Sequence, residues 1–369
     1  MNFEETANSR RIGDFKNQNA PAGGYEVLAT TVRENNCKIF IRKWLETNPF
    51  NEMVEFLRAR IIGQENVILL ATYVYRHLEA IANNLPSNNN VLLAAPSGCG
   101  KTETYRSLKL YFEPRIPDLI IYQMDMTSFN EESYTGNDTA DILKPLFEDV
   151  VQNTNDKIAI IFLDEFDKKI VPTSKIQGEN KNLFVQFKML TMLEGRDVVY
   201  NKKGSKVMED KVINTANCMF VGLGSYDEYR KMNPYSSDHY EFINKQSMVE
   251  LGGSYELLGR FVDVINFHRL DEQSLNTIID KIVVEEELSF GNKYKIILGE
   301  NMRRFLVENA NNEYGCRFLS SIIHQIVIKA YQYLLVNNIT NEVNAVHIID
   351  PDHYEVGYLD EEAEEPVEA

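Results

Sequence analysis

The eight residues Ala95-Pro-Ser-Gly-Cys-Gly-Lys-Thr102 constrain this chain more than any other stretch. They follow the apolar run Val91–Ala94 and precede a segment that reads as a helix, so a buried strand must turn there sharply into a helix. Glycines at 98 and 100 let backbone N–H groups close on an anion, Lys101 adds a point charge, and the Thr102 hydroxyl is placed to ligate Mg²⁺. This is a phosphate-binding loop, and Pro96, Ser97, Gly98, Cys99, Gly100, Lys101, Thr102 and Glu103 are its expected nucleotide-binding residues. One residue departs from the pattern G-x-x-x-x-G-K-[ST]: Ala95 stands at the first glycine, which requires a negative φ there.

A second strand is expected over Leu119–Met124 and a third over Ile158–Leu163, the latter almost purely apolar and closed by Asp164-Glu165. A continuous apolar run of this kind belongs to a central parallel strand covered on both faces. Its carboxyl end lies on the same sheet edge as the phosphate loop, where ligands bind in open α/β sheets. Asp164 is therefore expected to hold Mg²⁺, and Glu165 to polarise the water that attacks the γ-phosphate of ATP. Together the two motifs point to a nucleoside triphosphatase.

With 369 residues the chain has room for two or three domains, and its net charge of −17 argues against nonspecific nucleic-acid binding and against an anionic membrane surface. No run reaches the ~18 apolar residues of a membrane span, and no signal peptide is visible, so a soluble, cytoplasmic protein is expected. Cys37, Cys99, Cys218 and Cys316 are too scattered for a zinc site or a disulfide framework.

The ordered motifs resemble those of the AAA+ ATPases, most closely the ClpX branch of the Clp unfoldases, from about Ile61 to about Ile349. The fold the resemblance implies is a P-loop NTPase domain, a parallel sheet flanked by helices, followed by a small, mainly helical lid. Ile61-Ile-Gly-Gln-Glu65 is similar to the family's adenine-side motif, which puts Ile61 and Ile62 on the base. Asp164-Glu-Phe-Asp-Lys168 resembles its Walker B signature, and Ser133-Tyr-Thr-Gly136 its first pore loop, which makes Tyr134 the side chain that grips substrate in a ring channel. Leu193-Glu-Gly195 resembles another family segment, and Leu258-Gly-Arg260 the box carrying the arginine finger, so Arg260 is expected to act on a neighbouring subunit's nucleotide. Gly315-Cys-Arg317 falls where the family has its sensor 2 arginine, and Ser225 is the choice for sensor 1. Glu165, Arg260 and Arg317 are then the expected catalytic set.

The resemblance implies a Mg²⁺-dependent ATPase that forms a homo-hexameric ring and threads protein substrates through an axial pore. An ATP-assembled scaffold that moves no substrate is the alternative. The four-cysteine zinc domain of bacterial ClpX is missing, and no Ile-Gly-Phe or Leu-Gly-Phe tripeptide is present, so no ClpP-type peptidase partner is expected. The basic turn Lys202-Lys-Gly204 has two readings, basic charge near the channel entrance or an ordinary solvated turn. The expected divisions are a leader and short helical segment (1–55), the nucleotide-binding domain (56–268), the lid (269–350) and an acidic, unfolded tail (351–369).

Overall fold

The computed structural model of the chain describes residues 35–129, 139–152, 156–172, 181–200, 211–232, 242–310 and 316–359. Helices α1 (Asn36–Glu46), α2 (Phe50–Arg60) and α3 (Val67–Ala82) lead into strand β1 (Val91–Ala94), and α4 (Lys101–Phe112) starts within the phosphate loop. Then come β2 (Ile120–Asp125), α5 (Lys144–Glu148), β3 (Ala159–Asp164), α6 (Asp167–Ile170) and α7 (Lys181–Leu193). The antiparallel pair β4 (Asp197–Tyr200) and β5 (Lys211–Asn214) precedes β6 (Cys218–Gly224), α8 (Asp227–Met232), α9 (Lys245–Leu251), α10 (Tyr255–Leu258) and β7 (Asp263–Asn266).

Five strands form one parallel sheet in the order β2-β3-β6-β1-β7. Its central strands alternate between two cores, as the period of two dictates. Val91, Leu93, Ile160, Phe162, Met219 and Val221 face a core shared with α1 to α4, whereas Leu92, Ala94, Ile161, Leu163 and Phe220 face one shared with α7, α9 and α10. This two-sided burial is the physical reason why β3 reads as an unbroken apolar run. The α/β P-loop NTPase fold expected from the sequence is the one found.

Two expected boundaries are corrected. Residues 35–55 are no separate segment: Cys37, Ile41, Trp44 and Met53 are buried in the first core, and the Trp44 ring meets Phe112 edge-on at 5.3 Å. Burying a large aromatic ring against α4 ties these helices to the element that carries the phosphate loop. The segment from residue 1 to 34 lies outside the described residues.

The other correction is at the C-terminal end. There α11 (Glu272–Ser289), β8 (Lys295–Leu298), α12 (Glu300–Ala310) and α13 (Cys316–Val336) surround a third core with β9 (Ala345–Asp350). Structure was expected to stop at Pro351, but β10 (His353–Gly357) pairs antiparallel with β9 and completes a three-stranded sheet, so order continues past the proline. The acidic composition hid this strand, because its side chains alternate exposed and half-buried on an edge. The last ten residues, 360–369, lie outside the described ones.

Candidate nucleotide site

The carboxyl ends of β1, β3 and β6 bring their following loops side by side, because β6 sits between β1 and β3 in the sheet. After β1, Ala95 is fully buried and its N–H donates to the Gly224 carbonyl at 3.0 Å. Ala95 is not among the residues with positive φ, so its departure from the glycine pattern carries no strain. Gly100 does need to be glycine: its φ is +97°, and a Cβ there would come within 3.3 Å of Ile61. α4 then begins at Lys101, with its free N–H groups and positive dipole end turned toward the cleft.

The Lys101 ammonium donates to the carbonyls of Ala95 (2.5 Å) and Pro96 (3.0 Å), which arches it over the loop. Burial pushes its pKa down, and the nearby Asp167 carboxylate acts against that shift. Across the cleft, Asp164 Oδ1 accepts from the Glu165 backbone N–H at 3.0 Å and Oδ2 from the Gln123 amide. The carboxylate is thus oriented from β2 as well as from its own strand.

Glu165 has φ +53°, the left-handed region that a non-glycine residue rarely enters. Its neighbour Phe166 holds the turn by donating its N–H to the Leu223 carbonyl at 2.8 Å. Burial, then Asp167 and Asp164, raise the Glu165 carboxyl above the usual carboxylate range, with Lys168 and Lys101 opposing. Asp167 itself is buried; Oδ2 accepts from the Tyr226 N–H (3.1 Å) and the Ser225 hydroxyl (3.3 Å), while Oδ1 finds no partner among the described residues.

These groups line one cleft of about 1120 Å³, walled on one side by the sheet loops and on the other by α11 and the start of α13. Ile61, Ile62, Ser97, Gly98, Cys99, Gly100, Lys101, Thr102, Glu103, Asp164, Glu165, Ser225 and Arg317 all reach it. Pro96 does not line it, and the Glu103 carboxylate is engaged by Arg60 at 2.8 Å.

Arg260 is not in this cleft. It precedes β7, at the amino edge of the sheet, and pairs with Glu194. Tyr134, Lys202 and Gly315 lie outside the described residues.

Sequence reading missed several residues. Gln123 carries no spacing signal toward the loop, and the pairing of β2 with β3 brings it beside Asp164; Asp227 reaches the cleft from the start of α8, just after β6. Arg230, which donates to the Ser225 carbonyl and pairs with Asp227 at 3.2 Å, is likewise invisible in the sequence. The repeat of acid at 164, 165 and 167 was the one available hint for Asp167.

The donor set suits Mg²⁺. Among the described residues no group of three or more His, Cys, Asp and Glu could hold a metal ion alone; the cleft offers the Thr102 hydroxyl and an oriented Asp164. Mg²⁺ is characteristically held by one or two carboxylates with substrate phosphates and water, which this set matches. Among the described residues no helix is long and apolar enough to cross a membrane.

Comparison with known proteins places the same elements in context. Residues 91–231 match the family described as ATPase family associated with various cellular activities (AAA). The chain is 26% identical over 329 residues to the ATP-dependent Clp protease ATP-binding subunit ClpX of Treponema denticola, covering 80% of this chain and 70% of that one. It is 26% identical over 274 residues to the subunit of the same name from Azotobacter vinelandii (62% and 60% covered). With the ClpX 2 subunit of Wolinella succinogenes it shares 25% over 313 residues (75% and 75%).

Proposed function

We propose that this chain, a ClpX-like AAA+ ATPase, is one subunit of an ATP-driven ring that grips a polypeptide and unfolds it. The observation that carries the reading is the cleft itself. Its phosphate loop and acidic pair belong to the parallel sheet, while Arg317 belongs to the C-terminal part of the chain, so one nucleotide would bridge both. A change in its phosphates can then change the angle between them, which makes the C-terminal part a lid.

In this reading Ile61 and Ile62 hold the base, and Lys101 and the loop amides hold the phosphates. Thr102 and Asp164 hold Mg²⁺, which supplies charge neutralisation on the phosphate oxygens when bound. Glu165 orients the attacking water and takes its proton, a task suited to a carboxyl whose pKa lies above the usual range. Arg317 faces charge on the nucleotide of its own chain, and Arg260 that of a neighbour.

The position of Arg260 on the sheet supports its assignment to a neighbouring copy's nucleotide. Val262 donates its N–H to the Asn90 carbonyl at 2.7 Å, so Arg260 sits level with the start of β1, whereas the phosphate loop sits at its end. Four strand residues separate the two edges by about 13 Å. An arginine at that edge serves a nucleotide that approaches from outside the chain.

Glu165→Gln tests the ATPase assignment. Bound ATP should persist while turnover falls by about 10²-fold or more; undiminished turnover would sink it. Tyr134→Ala tests the threading assignment and separates it from an ATP-assembled scaffold. Unfolding of a tagged substrate should disappear with ATP hydrolysis retained, whereas a scaffold would show no change in its partner's activity.

A further inference from the structure

We infer that Glu194 is a positioning residue for Arg260, holding the guanidinium at the edge of the chain in the pose that a neighbouring copy's nucleotide meets. The inference rests on the ring reading above and assigns a role to a carboxylate which that reading leaves unused. Leu193-Glu194-Gly195-Arg196 forms a tight turn between α7 and β4.

The base of that turn is fixed from three sides. Gly195 has φ +71°, and a Cβ there would stand 3.0 Å from the Ala216 backbone. Thr215 donates its hydroxyl to the carbonyls of Met192 (2.9 Å) and Arg196 (3.0 Å) and its N–H to Arg196 as well (3.2 Å). The buried Asn90 amide donates to the Leu193 carbonyl at 3.1 Å and to the Arg260 carbonyl at 3.3 Å, while its oxygen accepts from Phe220 N–H at 2.9 Å. One side chain thereby locks the backbones of the acid and the arginine to the same strand end. Glu194 therefore projects from rigid backbone toward an arginine whose own backbone cannot drift away from it.

The pair itself is partly shielded. The Glu194 side chain is 17% exposed and that of Arg260 39%. Glu194 Oε1 binds Arg260 Nη2, and Oε2 takes the exposed Arg196 at 2.7 Å. Arg260 Nε is buried without an acceptor among the described residues. A guanidinium offers five donors in a planar fork, so one edge can lie on Glu194 while the other remains presented. Without the carboxylate, a long flexible side chain would have to be ordered at each turnover; with it, that ordering is made before the neighbour's phosphate arrives.

The test uses the full chain, with steady-state ATP hydrolysis and binding of a fluorescent ATP analogue. Glu194→Gln keeps the shape and removes the charge. It should lower kcat by roughly ten-fold while KM and analogue affinity stay within about two-fold, the split expected when a group acts only through the transition state. Glu194→Asp should recover part of the loss, and Arg196→Ala, which leaves the Arg260 contact intact, should be near normal. Added to Arg260→Ala, Glu194→Gln should cause no further loss, because the two act as one unit. Undiminished kcat in Glu194→Gln beside a crippled Arg260→Ala overturns this inference alone, and so does a loss additive to that of Arg260→Ala. Undiminished kcat in Arg260→Ala overturns the underlying reading together with it.

Discussion

The two edges of the parallel sheet are built on opposite principles. At the carboxyl edge the loops are held open, with acids crowded together: Glu165 in a left-handed backbone, Asp167 buried with one oxygen unpartnered among the described residues, Lys101 partly desolvated. At the amino edge the polar side chains are buried and satisfied. Asn90 makes three hydrogen bonds, Gln152 donates to the carbonyls of Asp118 (2.6 Å) and Ile158 (2.8 Å), and Lys157 binds Asp149 at 2.8 Å. Strain and unmet polarity mark a surface meant to meet a ligand, whereas satisfied polar networks rigidify. Arg260 is the exception at the closed edge: a half-exposed charge standing on the rigid side, away from its own cleft.

The largest test of this contrast compares the two arginines. Arg260→Ala should reduce turnover by about 10³-fold in the assembled protein, the scale of a finger supplied from outside a site. Its affinity for nucleotide should be nearly unchanged. Arg317→Ala, removing a cation from the chain's own cleft, should weaken nucleotide binding as well. Mixing inactive Arg260→Ala with inactive Glu165→Gln chains sharpens the result. Sites that combine Glu165 of one copy with Arg260 of the other should regain activity; an inactive mixture would argue that both residues serve a single chain.

Next in size is the loss of Asn90. Asn90→Ala leaves the carbonyls of Leu193 and Arg260 and the N–H of Phe220 unpaired in the interior. At one to three kcal/mol for each unsatisfied buried group, partly relieved by relaxation, the expected cost is about 3 kcal/mol of unfolding free energy. Denaturant unfolding would measure it. A cost below about 1 kcal/mol would show that the amino edge is not the rigid base described here.

How much of this was visible in the sequence differs between the edges. The phosphate loop and the acidic pair lie next to their own strands, so spacing alone exposes them: Val91–Ala94 before the loop, Ile158–Leu163 before Asp164. The Arg260–Glu194 pair joins residues 66 positions apart, and Asn90 reaches residues 103, 130 and 170 positions away. No periodicity encodes such contacts, because chain topology creates them. Similarly, α1 read as a helix of unknown role because its partners, Tyr75 and Phe112, become neighbours only when α3 and α4 are packed.

The smallest expected effect probes the closed edge by pH. His77 on α3 is fully buried; its Nδ1 meets the Ser87 hydroxyl at 2.7 Å, and burial, opposed by a backbone hydrogen bond with Asn217, pushes its pKa down from 6.5 to about 4. The folded state thus resists protonation that the unfolded chain accepts near pH 6.5. The unfolded state binds more protons between those values, so stability falls as pH drops through that window and levels off below about 4. By pH 5.5 the loss should be about 1 kcal/mol relative to pH 7.5. His77→Gln, which cannot titrate, should lack this component, so the variant's unfolding free energy should decline less steeply between pH 7.5 and 5.5. Identical slopes for the two proteins would mean that protons reach His77 in the folded state, and that this edge is less closed than its hydrogen bonds imply.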